Sequence, residues 1–276
     1  MNIGFFTYCN NNLQKRYGTH KLINSIKHFH PDIPVYLYED EQINRVKEKY
    51  NAGYGVLFSA ILLEAKREYN LDYIIHIDSD SLCLGRLDDI LKLDYEIASC
   101  LNDYDIGDRD ERQNRPQCLW QLPNNKYVSC GLTACSSEKF LLDWIALNQE
   151  VAKRYGGVKH FWQSDINWFN YLFHYGNFKS KILDENDKNL FYGPSANMFS
   201  SNNYNPPHII KEYRINTWQS WYDIEYKNND FYLYNKKVKL LHQAGGGNKD
   251  TVIKCHLSMF NDDIRARLKE ITKTDE

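Results

Sequence analysis

Apolar positions along the first third of the chain alternate between strand-like runs and helix-like spacing. Asn2–Tyr8 is a short, nearly continuous apolar run that predicts a buried strand, and it breaks into the polar Asn10-Asn11-Asn12. A helix is expected to follow to about Phe29, with Leu22, Ile23, Ile26 and Phe29 on one face. Pro31 and Pro34 bracket a turn before a second short strand, Val35–Tyr38. Glu41–Tyr50 and Tyr54–Tyr69 read as helices, the second turning Leu57, Ile61, Leu62 and Ala65 inward. Leu71–Ile77 returns to strand, Leu87–Leu91 predicts a short helix and Tyr95–Leu101 a further strand.

Beyond this the pattern is less even. Asn102–Gln117 is polar and charged, with Pro116 near its end, and reads as a surface loop. Lys126–Cys135 predicts a strand, and Glu138–Tyr155 an amphipathic helix stopped by Gly156-Gly157. Phe161–His174 is aromatic-rich and helical in spacing. From Asn177 to Asn235, with Pro194, Pro206 and Pro207 among many Asn and Tyr, no elements can be assigned. Phe231–Leu241 predicts hairpin strands around Asn235, and Asp262–Ile271 a last helix. There is no internal repeat or Pro/Gly/Ser-rich linker, so residues 1–276 are expected to form a single domain. Strands alternating with helices predict an α/β fold with a parallel-rich sheet and a less regular C-terminal part. Ligands of such sheets bind beyond the carboxyl ends of the strands, where the strand order switches. The ends of the first strand and of Ile74–Ile77 are therefore the expected floor of a site.

Composition narrows the classes of partner. With 276 residues, 42% of them hydrophobic, the chain can bury one substantial core. A formal net charge of −2 gives no global field for nucleic acid, and none is expected as a partner. The 21 tyrosines provide aromatic faces that suit sugars and bases. The seven cysteines (Cys9, Cys83, Cys100, Cys118, Cys130, Cys135 and Cys255) contain no Cys-x-x-Cys pair, and several lie in apolar runs. They read as small buried hydrophobes in a reducing compartment, without a zinc site. No run approaches the roughly 18 apolar residues of a membrane span, and the N-terminus enters a strand directly rather than a signal peptide. A cytoplasmic location, with at most peripheral membrane contact, is the expectation.

The densest chemistry lies in Tyr73–Leu84, where an apolar run ends in Asp78-Ser79-Asp80. Aspartates two residues apart leave a strand on the same side. Buried unpaired they would be costly, and a hard divalent cation offsets that cost. Mg²⁺ or Mn²⁺ takes one or two carboxylates and completes its shell with water and phosphate oxygens. The pattern thus points to a site for a metal-bound diphosphate, with a strand-end turn capped by carboxylates as the local alternative. Asp103-Tyr104-Asp105 and Asp108-Arg109-Asp110 have the same spacing but no strand before them, and read as solvated loop. His242 precedes Gly245, Gly246, Gly247 and Lys249. Glycines admit a bulky anion, lysine neutralises it and imidazole can ligate Mn²⁺, although a glycine-rich surface turn fits equally. Asp165 stands among aromatics, as a helix cap or as a contact to a polar substrate. Ser129-Cys130-Gly131 offers either a close-approach glycine or plain strand packing. No Ser-His-Asp order or Cys-His pair suggests a nucleophile.

Taken in order, these segments resemble the GT-A glycosyltransferases, especially the group of glycogenin and the bacterial lipopolysaccharide galactosyltransferases. Phe5-Phe6-Thr7-Tyr8 resembles that family's uridine-binding opening, and Ile77-Asp78-Ser79-Asp80-Ser81-Leu82 its metal-binding Asp-x-Asp. Leu87-Asp88-Asp89-Ile90-Leu91 is similar to the segment that follows it. Ser129-Cys130-Gly131 stands where the family has Asn-x-Gly, and Asp165 with Asn170 resembles Asp-Gln-x-x-x-Asn. His242, Gly245 and Lys249 resemble His-x-x-Gly-x-x-Lys, with one extra residue before the lysine. Ser129 replaces the usual Asn and Ile166 the usual Gln, and no clear counterpart of the family's basic residue in the helix before the metal strand occurs near Phe58–Leu62. The resemblance implies a GT-A fold, a Rossmann-like mixed sheet flanked by helices, and transfer of a sugar, a hexose, from a UDP-sugar to a carbohydrate or other hydroxyl-bearing acceptor. It implies Mn²⁺ or Mg²⁺ on Asp78, Asp80 and His242, and the base held by Thr7, Tyr8 and Asn10. Ser79, Gly245 and Lys249 would face the nucleotide, and Asp165 would serve the chemistry. A nucleotidyltransferase of sugar phosphates shares the strand-and-carboxylate logic, but Tyr8-Cys9-Asn10-Asn11-Asn12 lacks the glycine- and basic-rich loop of that class. A non-catalytic carbohydrate-binding protein of the same fold is the remaining alternative.

Overall fold

Strand β1 (Ile3–Tyr8) lies between two parallel neighbours, β2 (Val35–Tyr38) and β3 (Tyr73–Ile77). The computed structural model describes residues 1–9, 13–101, 128–154, 164–183, 189–190, 224–233, 236–242 and 261–273, with the backbone alone at a few of them, Asp165 and His242 included. Helix α1 (Leu13–Phe29) carries the chain from β1 to β2, and α2 (Asp40–Lys49) and α3 (Tyr54–Glu68) carry it from β2 to β3 on the other side of β1. Strand order therefore reverses at the crevice between β1 and β3, the place where open α/β sheets bind ligands.

The sheet continues through β6 (Val128–Cys135), β5 (Ile97–Leu101) and β7 (Ser180–Ile182), in the order β2-β1-β3-β6-β5-β7. Strand β6 runs antiparallel to both of its neighbours, and the other pairings are parallel. Short strand β4 (Ser81–Cys83) follows β3 directly. Helices α4 (Glu138–Arg154) and α5 (Ser164–Tyr175) come after β6. A second sheet, β8-β11-β10-β9, joins β8 (Asn189–Leu190), β9 (Ile224–Lys227), β10 (Asp230–Leu233) and β11 (Lys236–Val238). Strand β12 (Leu240–His242) then leaves this sheet to pair with β4, and α6 (Asp262–Thr272) is the last described element. The mixed α/β architecture expected from the sequence is present.

Period-two alternation sorts the core into layers. Phe6, Ile74 and Ile97 face the side covered by α2, α3, α4 and α5, where Ile61, Leu62, Phe140, Trp144 and Phe169 are buried. Phe5, Ile75, Ile77 and Ala98 face α1, against Leu22 and Ile26. A smaller cluster packs α6 through Ile264, Leu268 and Ile271 onto Leu82, Phe231 and Leu241. Helix ends follow local chemistry. Asp40 and Glu41 open α2, with Lys47 and Lys49 in its last turn, as the helix dipole favours. Asn261 caps α6, its Oδ1 accepting from Ile264 N at 2.9 Å.

Several expectations change in detail. Leu57, expected inward, is half-buried, because Phe58 takes the core position toward Trp144. Ile23 is likewise half-buried on α1. Leu87–Leu91 forms a turn and a single 3-10 turn, Ile90–Lys92, rather than an α-helix, and left-handed Leu93 (φ 51°) follows it. The stretch without assignable elements contains β7, β8 and β9. The β9–β10 hairpin turns on Asn228-Asn229, whose φ values of 53° and 64° match the left-handed pair that a tight type I′ turn requires. The surface loop expected over Asn102–Gln117, the helix stop expected at Gly156-Gly157 and the start of the helix expected from Phe161 lie outside the described residues.

Candidate active site

The register places Tyr8 and Asp78, two of the expected site residues, at one end of the sheet. Phe6 pairs with His76 and Ile77 with Leu132, so Tyr8, Asp78 and Gly131 are neighbours at the carboxyl end of β3. Asp78 N donates to Gly131 O at 2.8 Å, which anchors the acidic turn on Ser129-Cys130-Gly131. The turn closes at once, as Ser81 N donates to Asp78 O at 3.0 Å. Asp78, Ser79 and Asp80 are all half-buried, with the Asp78 side chain 33% exposed.

Strand β12 brings the distant histidine to this turn. Leu240 pairs with Cys83, Leu241 with Leu82 and His242 with Ser81, in antiparallel register. Residues directly opposite in such a pair have Cα atoms roughly 4.5–5.5 Å apart. The backbone of His242 therefore stands beside the residue that follows Asp80. Two contacts fasten the approach to β12. Leu84 N donates to Lys239 O at 2.8 Å, and Lys239 Nζ reaches Asp89 Oδ2 at 3.0 Å. Asp89 is held below the ordinary carboxylate range by its hydrogen bond to Lys92 and, after it, by Lys239. This gives a structural role to the Leu87-Asp88-Asp89 segment. Among the described side chains, no group of three His, Cys, Asp or Glu is gathered as for a metal ion. The arrangement does fit a hard cation in other respects: two half-exposed carboxylates on one turn, an imidazole-bearing backbone position opposite Ser81, and a Ser81 hydroxyl that is buried without a hydrogen-bond partner.

The residues expected to face a nucleotide divide. Tyr8 is half-buried on the same face of the sheet as Asp78, its ring stacked on His76 at 5.7 Å and tilted toward Phe58 at 5.9 Å. Thr7 faces the opposite side, fully buried, and its Oγ1 has no hydrogen-bond partner. Asn10, Gly245 and Lys249 lie outside the described residues. Asp165 is the second residue of α5, where a carboxylate complements the helix N-terminus. Asn170, fully buried, ties this helix to β6. Its Oδ1 accepts from Val128 N at 2.8 Å, and its Nδ2 donates to Val128 O at 2.9 Å. Strand β6 enters the sheet at the end where β3 leaves it, so Asn170 brings the N-terminal half of α5 to the end that carries Asp78.

His76 was not singled out by its sequence. It is fully buried, with the Phe58 ring edge-on at 4.7 Å and Nε2 3.7 Å from Asp78 Oδ1. The signal for it was the single polar side chain inside an apolar strand, two residues before an aspartate. Two cysteines are inert by position. Cys83 and Cys135 are buried, which pushes each thiol up to about 12.

No protein-family model matches the chain, and no curated protein matches it in sequence. Among solved structures, the apo form of the bifunctional glycosyltransferase WbbM is similar over 99% of this chain and 52% of its own, with a TM-score of 0.52 and 14% identity. This chain thus spans about half the length of that protein. The galactosyltransferase LgtC, in complex with donor and acceptor sugar analogues, aligns over 97% of this chain and 100% of its own, with a TM-score of 0.48 and 12% identity. The likeness to WbbM concerns the fold, which is the mixed α/β architecture of the GT-A glycosyltransferases. Among the described residues no helix is long and apolar enough to cross a membrane.

Proposed function

We propose that this protein is a metal-dependent glycosyltransferase that moves a hexose from a UDP-sugar to a hydroxyl of a carbohydrate or similar acceptor. One observation carries the reading. The pairing of β12 with β4 sets His242 beside the Asp78-Ser79-Asp80 turn, at the switch point of a sheet that has a glycosyltransferase fold. Two carboxylates and an imidazole from chain segments this far apart suit Mn²⁺ or Mg²⁺ carrying a diphosphate. Asp78, Asp80 and His242 would hold the ion. When bound, it supplies positive charge to the two phosphates and so stabilises the departing diphosphate.

The chain's own residues do the remaining work. Tyr8 offers an aromatic edge to the base, with Asn10 as the expected polar partner; Thr7, fully buried on the opposite side of the sheet, is not available to it. Ser79, with Gly245 and Lys249 by their sequence context, would serve the phosphates and add to the stabilisation of the leaving group. Asp165 orients the donor sugar or the acceptor hydroxyl, or receives the acceptor proton if the reaction inverts configuration. The test is a hydrolysis screen of nucleotide sugars without acceptor, each run with Mn²⁺ and with chelator. Release of UDP from one donor in the Mn²⁺ arm is the expected result. Equal turnover in the two arms, or none from any donor, overturns the assignment.

A further inference from the structure

We infer that His76 is a positioning residue that braces Tyr8 and Asp78 together, so that base binding and metal–diphosphate binding share one support. The inference rests on the proposed nucleotide–metal site and goes beyond it. It starts from an oddity of placement. Strand β3 is central in the sheet, and its other inward positions are Ile74, Ile75 and Ile77, all fully buried. A histidine among them is equally buried. Burying a polar ring in a core costs free energy, so the ring has to be held by its surroundings. Its flat face lies against Tyr8, at 5.7 Å and an interplanar angle of 27°. Phe58 meets it edge-on at 4.7 Å and Phe6 lies tilted at 6.2 Å. These rings leave the imidazole little rotational freedom. Its Nε2 lies on the same strand face as Asp78 and 3.7 Å from Oδ1. That is beyond hydrogen-bond length, but a modest rotation of the part-exposed Asp78 side chain closes it. Groups standing behind a ligating carboxylate fix its direction, and their loss costs about 10- to 100-fold in metal affinity.

The substitution that separates the two duties is His76→Phe. It keeps a flat ring for Tyr8 and Phe58 to pack on, and removes the nitrogen that faces Asp78. Calorimetry measures UDP affinity with Mn²⁺ and with chelator, and a thermal melt is recorded for each protein. Wild type must bind UDP more tightly with Mn²⁺. If it does not, the nucleotide–metal reading itself fails, and this inference with it. Given that gain, His76→Phe should melt near wild type and hold the chelator-arm affinity within about 2-fold, while the Mn²⁺-dependent gain shrinks about 10-fold. An undiminished gain overturns the inference, as does a lowered melt with the gain intact, which would mark a purely structural ring. If His76→Phe does not fold, His76→Gln decides. It keeps a polar group toward Asp78 and loses the flat face. A retained gain with weaker chelator-arm binding supports the shared brace, and loss of the gain refutes it.

Discussion

Replacing Asn170 with alanine should cost this protein more than any surface change near the site. The side chain is fully buried and works in two directions on one residue, taking the Val128 N–H at 2.8 Å and giving to the Val128 carbonyl at 2.9 Å. It also gives to the carbonyl of Ile166 at 2.9 Å, an acceptor within its own helix. Val128 is itself fully buried, so neither of its backbone groups finds water once the amide is gone. Each buried backbone group left unsatisfied costs roughly 1–3 kcal/mol. Two of them, with a small added term for the cavity, give about 3–5 kcal/mol. For a chain of this size that is a fall in Tm of about 6–10 °C. Urea titration followed by circular dichroism measures the loss. Hydrogen exchange should show α5 losing protection before the central sheet, since the strap holds that helix in particular. Asn170→Leu is the control. It fills the volume but offers Val128 nothing, so it should cost nearly as much as alanine. A leucine variant within about 1 kcal/mol of wild type would falsify the claim that the amide, rather than its bulk, fastens α5 to β6.

Three further outcomes are expected. Asp80→Ala should abolish Mn²⁺-dependent UDP binding while lowering the melt only slightly, because Asp80 is half-buried in the turn after β3 rather than part of the core; calorimetry with and without chelator reads this, and unaltered metal-dependent affinity contradicts it. Asp165→Asn should keep the fold and UDP affinity while turnover drops about 100-fold or more, since the charge lost in the first turn of α5 costs only about 0.3–1 kcal/mol of stability; near-normal turnover returns Asp165 to a structural role. His30 accepts a hydrogen bond from Leu87 N through Nε2 at 2.9 Å, and burial, followed by Arg86, lowers it to about 4. Its unfolded value, near 6.5, is higher, so the unfolded chain binds the extra proton between those two pH values. Stability from His30 is therefore complete above about pH 6.5 and is lost as pH falls toward 4, by roughly 2–3 kcal/mol. Urea unfolding at pH 7 and pH 5 should show that slope, and His30→Gln should flatten it; a variant with the wild-type slope removes His30 as the cause.

The parts of the fold that were legible in the sequence are those where one period dominates. β3 stood out because Ile74, Ile75 and Ile77 bury both faces of a central strand, and the aspartates end it abruptly. α4 was legible through its apolar stripe. Short strands were not. β4 has three residues and directly continues the acidic turn, and β7, β8 and β12 are as brief or briefer, so no period can establish itself. Their pairing is set by tertiary contacts such as Lys239 with Asp89, which no local window contains. The Asn228-Asn229 turn was readable in principle, since paired asparagines accept left-handed backbone, but it lay amid tyrosines and asparagines that blurred it. The same held at the candidate site. The acidic turn announced itself, and Tyr8 followed from its position at the end of β1. His76 did not, because a buried histidine is identified by what surrounds it rather than by what precedes it.

The pairing of Leu240–His242 with Ser81–Cys83 also fixes a sequence of events in time. As the chain is made, the acidic turn appears with β1 and β3, long before the strand that completes it exists. Closing so long an intervening stretch adds little to the equilibrium cost, because loop entropy grows only with the logarithm of length. It weighs more on kinetics, since contacts between distant residues slow folding. If Asp78, Asp80 and His242 act together as proposed, metal-dependent affinity is a late-maturing property of this molecule. On the proposed assignment, a half-finished chain would carry the carboxylates without His242, and metal-dependent binding would wait until Leu240–His242 docks.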